Sequence, residues 1–191
     1  MNRVHRRICA SRDWADMVRE ELLPWGLDGC DLGRDVLEIG PGYGATTRVL
    51  AGRVPRLVVV EIDPALATRL QGVVAGTGGV VCGDGTALPF ADASFDAVVC
   101  FTVLHHIPSV ALQDRLFSEV RRVLRPGGVF AGSDSRLNLR FRLIHLFDTL
   151  VPVDPATLPE RLAAAGFAGA RVDVTAKRLR FGATGPPPSA T

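Results

Sequence analysis

The chain has 191 residues, of which 47% are hydrophobic and 22% charged. That balance describes one globular domain with a full core and excludes a second independent one. A formal charge of +2 gives no strong basic field, so no nucleic-acid partner is expected.

The predicted elements alternate. Residues 1–34, with Trp14, Met17, Leu22, Leu23 and Trp25, read as a helical cover anchored by its tryptophans. Asp35 to Ile39 is a strand that runs into a glycine-rich turn, and Ala45 to Val54 is a helix. Arg56 to Ile62 is a continuously apolar second strand, the pattern of a strand covered on both faces. Pro64 to Val74 is a helix with proline in its first turn. Gly78 to Gly83 and Phe95 to Phe101 are the third and fourth strands. Leu112 to Leu124 is an amphipathic helix stopped by Pro126-Gly127-Gly128, and Val129 to Ser133 is the fifth strand. Leu158 to Ala165 is a helix, and Ala170 to Thr175 and Leu179 to Ala183 form an antiparallel pair. The tail 185–191, GPPPSAT, predicts disorder. The whole is an α/β doubly wound, mostly parallel sheet with an antiparallel C-terminal strand pair.

The strongest motif is Glu38-Ile39-Gly40-Pro41-Gly42-Tyr43-Gly44, at the first strand-to-helix junction. Ligands of an open parallel sheet bind beyond the carboxyl ends of its strands, where glycines allow close backbone approach. Two cofactor classes suit the loop. Gly40, Gly42 and Ala45 satisfy a dinucleotide pattern, with Glu61 21 residues after Gly40. Glu38, however, would repel a pyrophosphate and suits a ligand with a cationic amine and a sulfonium. Glu61, before Ile62, ends the second strand and would accept ribose hydroxyls in either class. Asp84, between Gly83 and Gly85, would accept from an adenine amino group or simply form a turn. Phe101 lines the cofactor site or packs in the core.

VLEIGPGYG (36–44), VVVEID (58–63), CGDGTALPFADASFDAVVC (82–100), LHHI (104–107) and EVRRVLRPGGVF (119–130) together resemble the Rossmann-like methyltransferases that use S-adenosylmethionine (SAM). The resemblance covers residues 35 to 133 in order and, more weakly, 158 to 184. It implies a seven-stranded sheet. It also implies that Glu38, Gly40, Gly42 and Gly44 hold the methionine part, Glu61 the ribose and Asp84 the adenine, and Tyr43, Ile62, Gly83 and Gly85 beside them are further cofactor-binding candidates. Glu61 stands where aspartate is commoner, and Pro41 sits inside the loop. The rival, an NAD(P)-dependent oxidoreductase, loses ground on other residues. A short-chain enzyme of that kind needs Tyr-x-x-x-Lys, yet Tyr43 and Lys177 are the only Tyr and Lys and lie 134 apart. A non-catalytic SAM-binding protein of the same fold is the other alternative.

Methyl transfer from a sulfonium needs proximity and orientation, and a hydroxyl acceptor gains from a general base. His105 and His106 follow the fourth strand at the edge where the methyl group should point. The resemblance favours His105 as the one facing the acceptor. Residues 136–150 put Asn138, Arg142, His145 and Thr149 on one helical stripe, with apolar stripes beside it. That segment is expected to pack on the sheet or to form a lid. The expected arrangement is one domain over 1–184: a cover (1–34), a SAM-binding core (35–133), a lid (134–156), then an edge helix and hairpin (157–184). A small, apolar or aromatic methyl acceptor is expected, with O-methylation preferred. No run is long enough to span a membrane and no secretory signal is seen, so a cytoplasmic monomer or homodimer is expected. The apolar 136–150 segment is the one place where a membrane surface would engage. Cys9, Cys30, Cys82 and Cys100 lack metal-ligand spacing, so free thiols and no metal are expected.

Overall fold

The computed structural model describes residues 2–187. The N-terminal cover holds α1 (Arg3–Cys9), α2 (Arg12–Met17), a π-helical turn (Val18–Leu22) and α3 (Leu23–Gly26). Then come β1 (Asp35–Ile39), α4 (Ala45–Leu50), β2 (Arg56–Glu61), α5 (Pro64–Gln71), β3 (Gly78–Cys82) and β4 (Phe95–Phe101). A 3-10 turn (Leu104–His106), α6 (Val110–Val123), β5 (Leu124–Ser135) and α7 (Leu139–Ile144) follow. The chain ends on α8 (Leu158–Ala164), β6 (Ala168–Val174) and β7 (Arg178–Thr184).

The seven strands form one sheet in the order β3-β2-β1-β4-β5-β7-β6. β7 is antiparallel to both its neighbours, and the other pairs are parallel. The order reverses between β1 and β4, so the carboxyl ends of those two strands flank the ligand crevice. Valine-rich β2 is buried over Leu57–Glu61 because a parallel strand has helices on both faces. One core face gathers Leu37, Val98, Phe117, Phe130 and Phe181 under α6 and α8. The other gathers Val36, Val59, Val99 and Phe101 against Val18, Leu22 and Leu23 of the cover. Those three cover residues are fully buried, each worth about 1.5–3 kcal/mol of burial, so the cover belongs to the core. Trp25 is anchored, as expected: Arg180 lies over its ring and donates to its carbonyl at 2.6 Å.

Three sequence expectations need correction. β5 begins at Leu124, ahead of the Pro126-Gly127-Gly128 stop, because Leu124 pairs with Phe95 before a register shift. The 136–150 segment is helical only over Leu139–Ile144, and its leucine stripe is not buried. Leu139, Leu143, Leu146 and Phe147 are exposed, whereas His145 is buried. The start of the tail is seated: Gly185 donates to Gly128 and Gly127 to Pro186. The rest of the disorder expectation, 188–191, lies outside the described residues.

Candidate functional site

The loop after β1 takes its shape from three left-handed glycines, Gly40 (φ 65°), Gly42 (φ 58°) and Gly44 (φ 77°). Other residues rarely hold that conformation. A Cβ on Gly40 would meet Val103 at 2.9 Å, and one on Gly44 would meet Leu70 at 2.6 Å. A Cβ on Gly42 would meet no atom within 4 Å. The loop is therefore packed from beneath and open at Gly42, the form of a cradle. Tyr43 lies beside it, half-buried, with the Arg69 guanidinium over its ring.

Glu38 is buried in β1 beneath this loop. One carboxylate oxygen accepts from the Thr46 hydroxyl, while Oε2 is buried without a hydrogen-bond partner among the described residues. Burial pushes its carboxyl up to about 7, opposed by the Thr46 and Thr47 hydroxyls. A buried acceptor left unmatched awaits a donor, and the ammonium group of SAM is one. Glu61 ends β2 and accepts from the Gly42 and Asp63 amides, each at 2.9 Å. Each carboxylate oxygen keeps a lone pair for a ribose hydroxyl. The open cradle, the orphaned carboxylate oxygen and the buried acid that ends β2 all fit SAM.

The remaining cofactor candidates divide. Ile62 is 67% exposed on the rim beside Glu61, an apolar surface available to a flat base. Asp84 is exposed and accepts from the Thr86 amide at 2.8 Å, so it forms the turn that the sequence offered as its alternative role. Gly83 donates to the Glu61 carbonyl, and Gly85 sits against Ile39 and Leu116 where a Cβ would clash. Phe101 takes the second of the two roles that its position offered, core packing. Its ring is in the core against Gly26, where a Cβ would come within 2.7 Å.

Beyond β4, Thr102 adopts φ 57°, unusual for a β-branched residue, and the chain turns into the 3-10 segment. His105 is buried there. Its Nδ1 lies 2.5 Å from the Asp134 carboxylate at the carboxyl end of β5, and its amide also donates to Asp134. Asp134 is 1% exposed, so the imidazole is held in one orientation. The sequence analysis missed Asp134; a buried acid in the last residues of a core strand was its only signal. His106 packs 4.1 Å from the His105 ring. Burial and the neighbouring imidazoles push His106 down to about 2. All four histidines of the chain gather here, joined by His5 from α1 and His145 from the end of α7.

Comparison with known proteins agrees with this geometry. The family model described as "Methyltransferase domain" matches residues 37–132. A Mycolicibacterium smegmatis protein named "Probable S-adenosylmethionine-dependent methyltransferase" is 34% identical over 139 residues, 71% of this chain and 52% of that protein. A Pyrobaculum aerophilum protein named as a ribosomal RNA small subunit methyltransferase A is 34% identical over 105 residues, 50% of this chain and 46% of its own length. The chain thus spans about half the length of the curated relatives it matches. Among solved structures, a Haloferax volcanii chain from a complex with the Trm112 methyltransferase activator superposes with a TM-score of 0.76 at 16% identity, covering 95% of this chain and 97% of that one. Among the described residues no helix is long and apolar enough to cross a membrane. The glycine cradle, the two acids and the seven-stranded sheet have one shared explanation: this chain belongs to the methyltransferase domain family, with the Rossmann-like fold that binds S-adenosylmethionine.

Proposed function

We propose that the chain methylates a small apolar or aromatic acceptor, at oxygen in preference to nitrogen or carbon. The observation that carries this reading is the buried His105–Asp134 pair, His105 in the turn after β4 and Asp134 at the carboxyl end of β5. When bound, SAM supplies an activated methyl group. Glu38 would hold its ammonium group, Gly40, Gly42 and Gly44 its methionine part, Glu61 its ribose, and Ile62 with Asp84 its adenine side. Asp134 accepts the Nδ1 proton of His105, which leaves Nε2 as the basic nitrogen. That nitrogen would take the proton of an acceptor hydroxyl as oxygen gains the methyl group. His145 Nε2 lies 3.2 Å from it, so the lid must withdraw His145 to admit an acceptor. An acceptor would bind between the cover and the lid, whose sequence lies outside the shared motifs. The chain is then a cytoplasmic monomer or homodimer with no nucleic-acid substrate.

The test is a panel of phenols, amines and ribosomal RNA with radiolabelled SAM. Phenols should accept label, and His105→Ala should lower kcat at least tenfold with SAM affinity unchanged, the size of a general-base contribution being about 100-fold or more. Asp134→Asn should lower kcat and displace the pH profile, because it positions the base without touching the acceptor. Label on RNA alone, or normal turnover in His105→Ala, would sink this reading.

A further inference from the structure

His5, His106 and His145 each offer a ring nitrogen within 4.8 Å of the other two, and His5 and His145 are buried. They come from α1, the turn after β4 and the lid, three segments far apart in sequence. Their hydrogen bonds decide which nitrogens are bare. The Phe141 carbonyl lies 2.8 Å from His145 Nδ1 and can only accept, so that nitrogen carries the proton. His145 Nε2 is then a lone pair pointing into the cluster. The Asp134 carboxylate likewise takes the Nδ1 proton of His105. The two Nε2 atoms face each other at 3.2 Å. Two lone pairs at that distance repel unless something positive lies near both. A proton is one answer; a cation drawn to the His145 lone pair is the other.

We propose that His5, His106 and His145 are the ligands of one transition-metal dication of the zinc class, with His105 beside them as a fourth imidazole. Asp148 stands 3.3 Å from His5 Nδ1, which leaves His5 Nε2 for the metal. A carboxylate behind a ligating imidazole is a recurrent support for metal sites. No hydrogen bond is made by the His106 ring among the described residues, so coordination would be its polar contact. All-imidazole donor sets suit zinc, copper or nickel, and not magnesium or calcium. Sequence spacing hides the site, since its ligands lie about 100 and 40 residues apart and only the fold assembles them. The metal would hold the segment around His145 and the cover to the core, and the withdrawal of His145 that admits an acceptor would have to release it.

The full chain is stripped with chelator and titrated with zinc chloride and with cobalt chloride. Retained metal is read by mass spectrometry, affinity by calorimetry and ligand type by the cobalt spectrum. A single zinc per chain is expected, with nitrogen-only cobalt bands. His5→Gln and His145→Gln should weaken binding tenfold or more, and Asp148→Asn by about tenfold. Zinc should also raise the Tm of the unaltered chain. None of these readouts needs methyl transfer, so failure here leaves the proposed activity standing. No binding to the unaltered chain would overturn the proposal and leave a shared proton between His105 and His145. A thiolate band in the cobalt spectrum, or unchanged affinity in a variant, would also overturn it. If a variant fails to fold, the titration of the unaltered chain alone decides.

Discussion

Gly42 and Gly44 share a left-handed backbone, yet a methyl group at each would have different consequences. At Gly44 the new Cβ would press on Leu70 at 2.6 Å. Gly44→Ala should therefore destabilise the apo fold by about 2–4 kcal/mol, combining backbone strain with overpacking. At Gly42 the Cβ meets no protein atom, so Gly42→Ala should cost only about 1–2 kcal/mol of strain. Its larger effect should be on SAM affinity, lost by tenfold or more in calorimetry. Equal loss of affinity and stability at both positions would mean that the loop is not a cradle. Glu38 supplies a second prediction. Its folded carboxyl is raised above the unfolded value, to about 7. The stability it contributes is thus full below about pH 4.5 and lost as pH rises through 7. A ligand ammonium favours the ionised form, so SAM should bind more tightly as pH rises through 7 and release a proton. Calorimetry in buffers of different ionisation enthalpy measures that proton, and Glu38→Gln should abolish it. The sequence placed Glu38 beside the ligand but could not show its unmatched oxygen. Nor could it distinguish Asp84 as adenine contact from Asp84 as turn former, since both roles want an acid between two glycines.

Element by element, the parallel strands were readable because burial on both faces leaves a continuous apolar run, as in Leu57–Val60. The 136–150 leucine stripe was misjudged because helical spacing says which residues share a face and not which face turns inward. Its leucines point outward and His145 inward, since the inner partners are imidazoles and backbone carbonyls. The motif EVRRVLRPGG is held in place by Arg122. It donates to the Leu88 and Phe90 carbonyls and pairs with Glu119 and Asp92, so it pins the loop before β4. Gly132 in β5 carries a sharper requirement. A Cβ there would lie 2.0 Å from the Cys100 carbonyl of β4, a backbone atom that cannot move aside without parting the two strands. Gly132→Ala should cost about 4 kcal/mol or more, read as a lower urea midpoint. A loss under about 1 kcal/mol would show that the β4–β5 register adapts.

For the whole molecule, the cover, sheet and lid share one core, so ligand binding in the crevice should stabilise everything at once. S-adenosylhomocysteine keeps the ammonium, ribose and adenine that Glu38, Glu61 and the rim would recognise. At about 100 times its Kd, a ligand bound only by the folded state adds about 2.7 kcal/mol. For a domain of this size each kcal/mol moves the Tm by about 2–4 °C, so a rise of roughly 5–10 °C is expected. Above pH 7, where Glu38 is ionised and repels their pyrophosphate, NAD and NADP should give no rise. Glu61→Ala should keep an apo Tm within a few degrees, since its two amide bonds lie in the loops and not in the core. It should lose most of the ligand-induced rise, because the ribose hydroxyls then lack their acceptor. A rise with NAD alone would move the chain to dinucleotide chemistry. An undiminished rise in Glu61→Ala would put the ribose somewhere other than the end of β2.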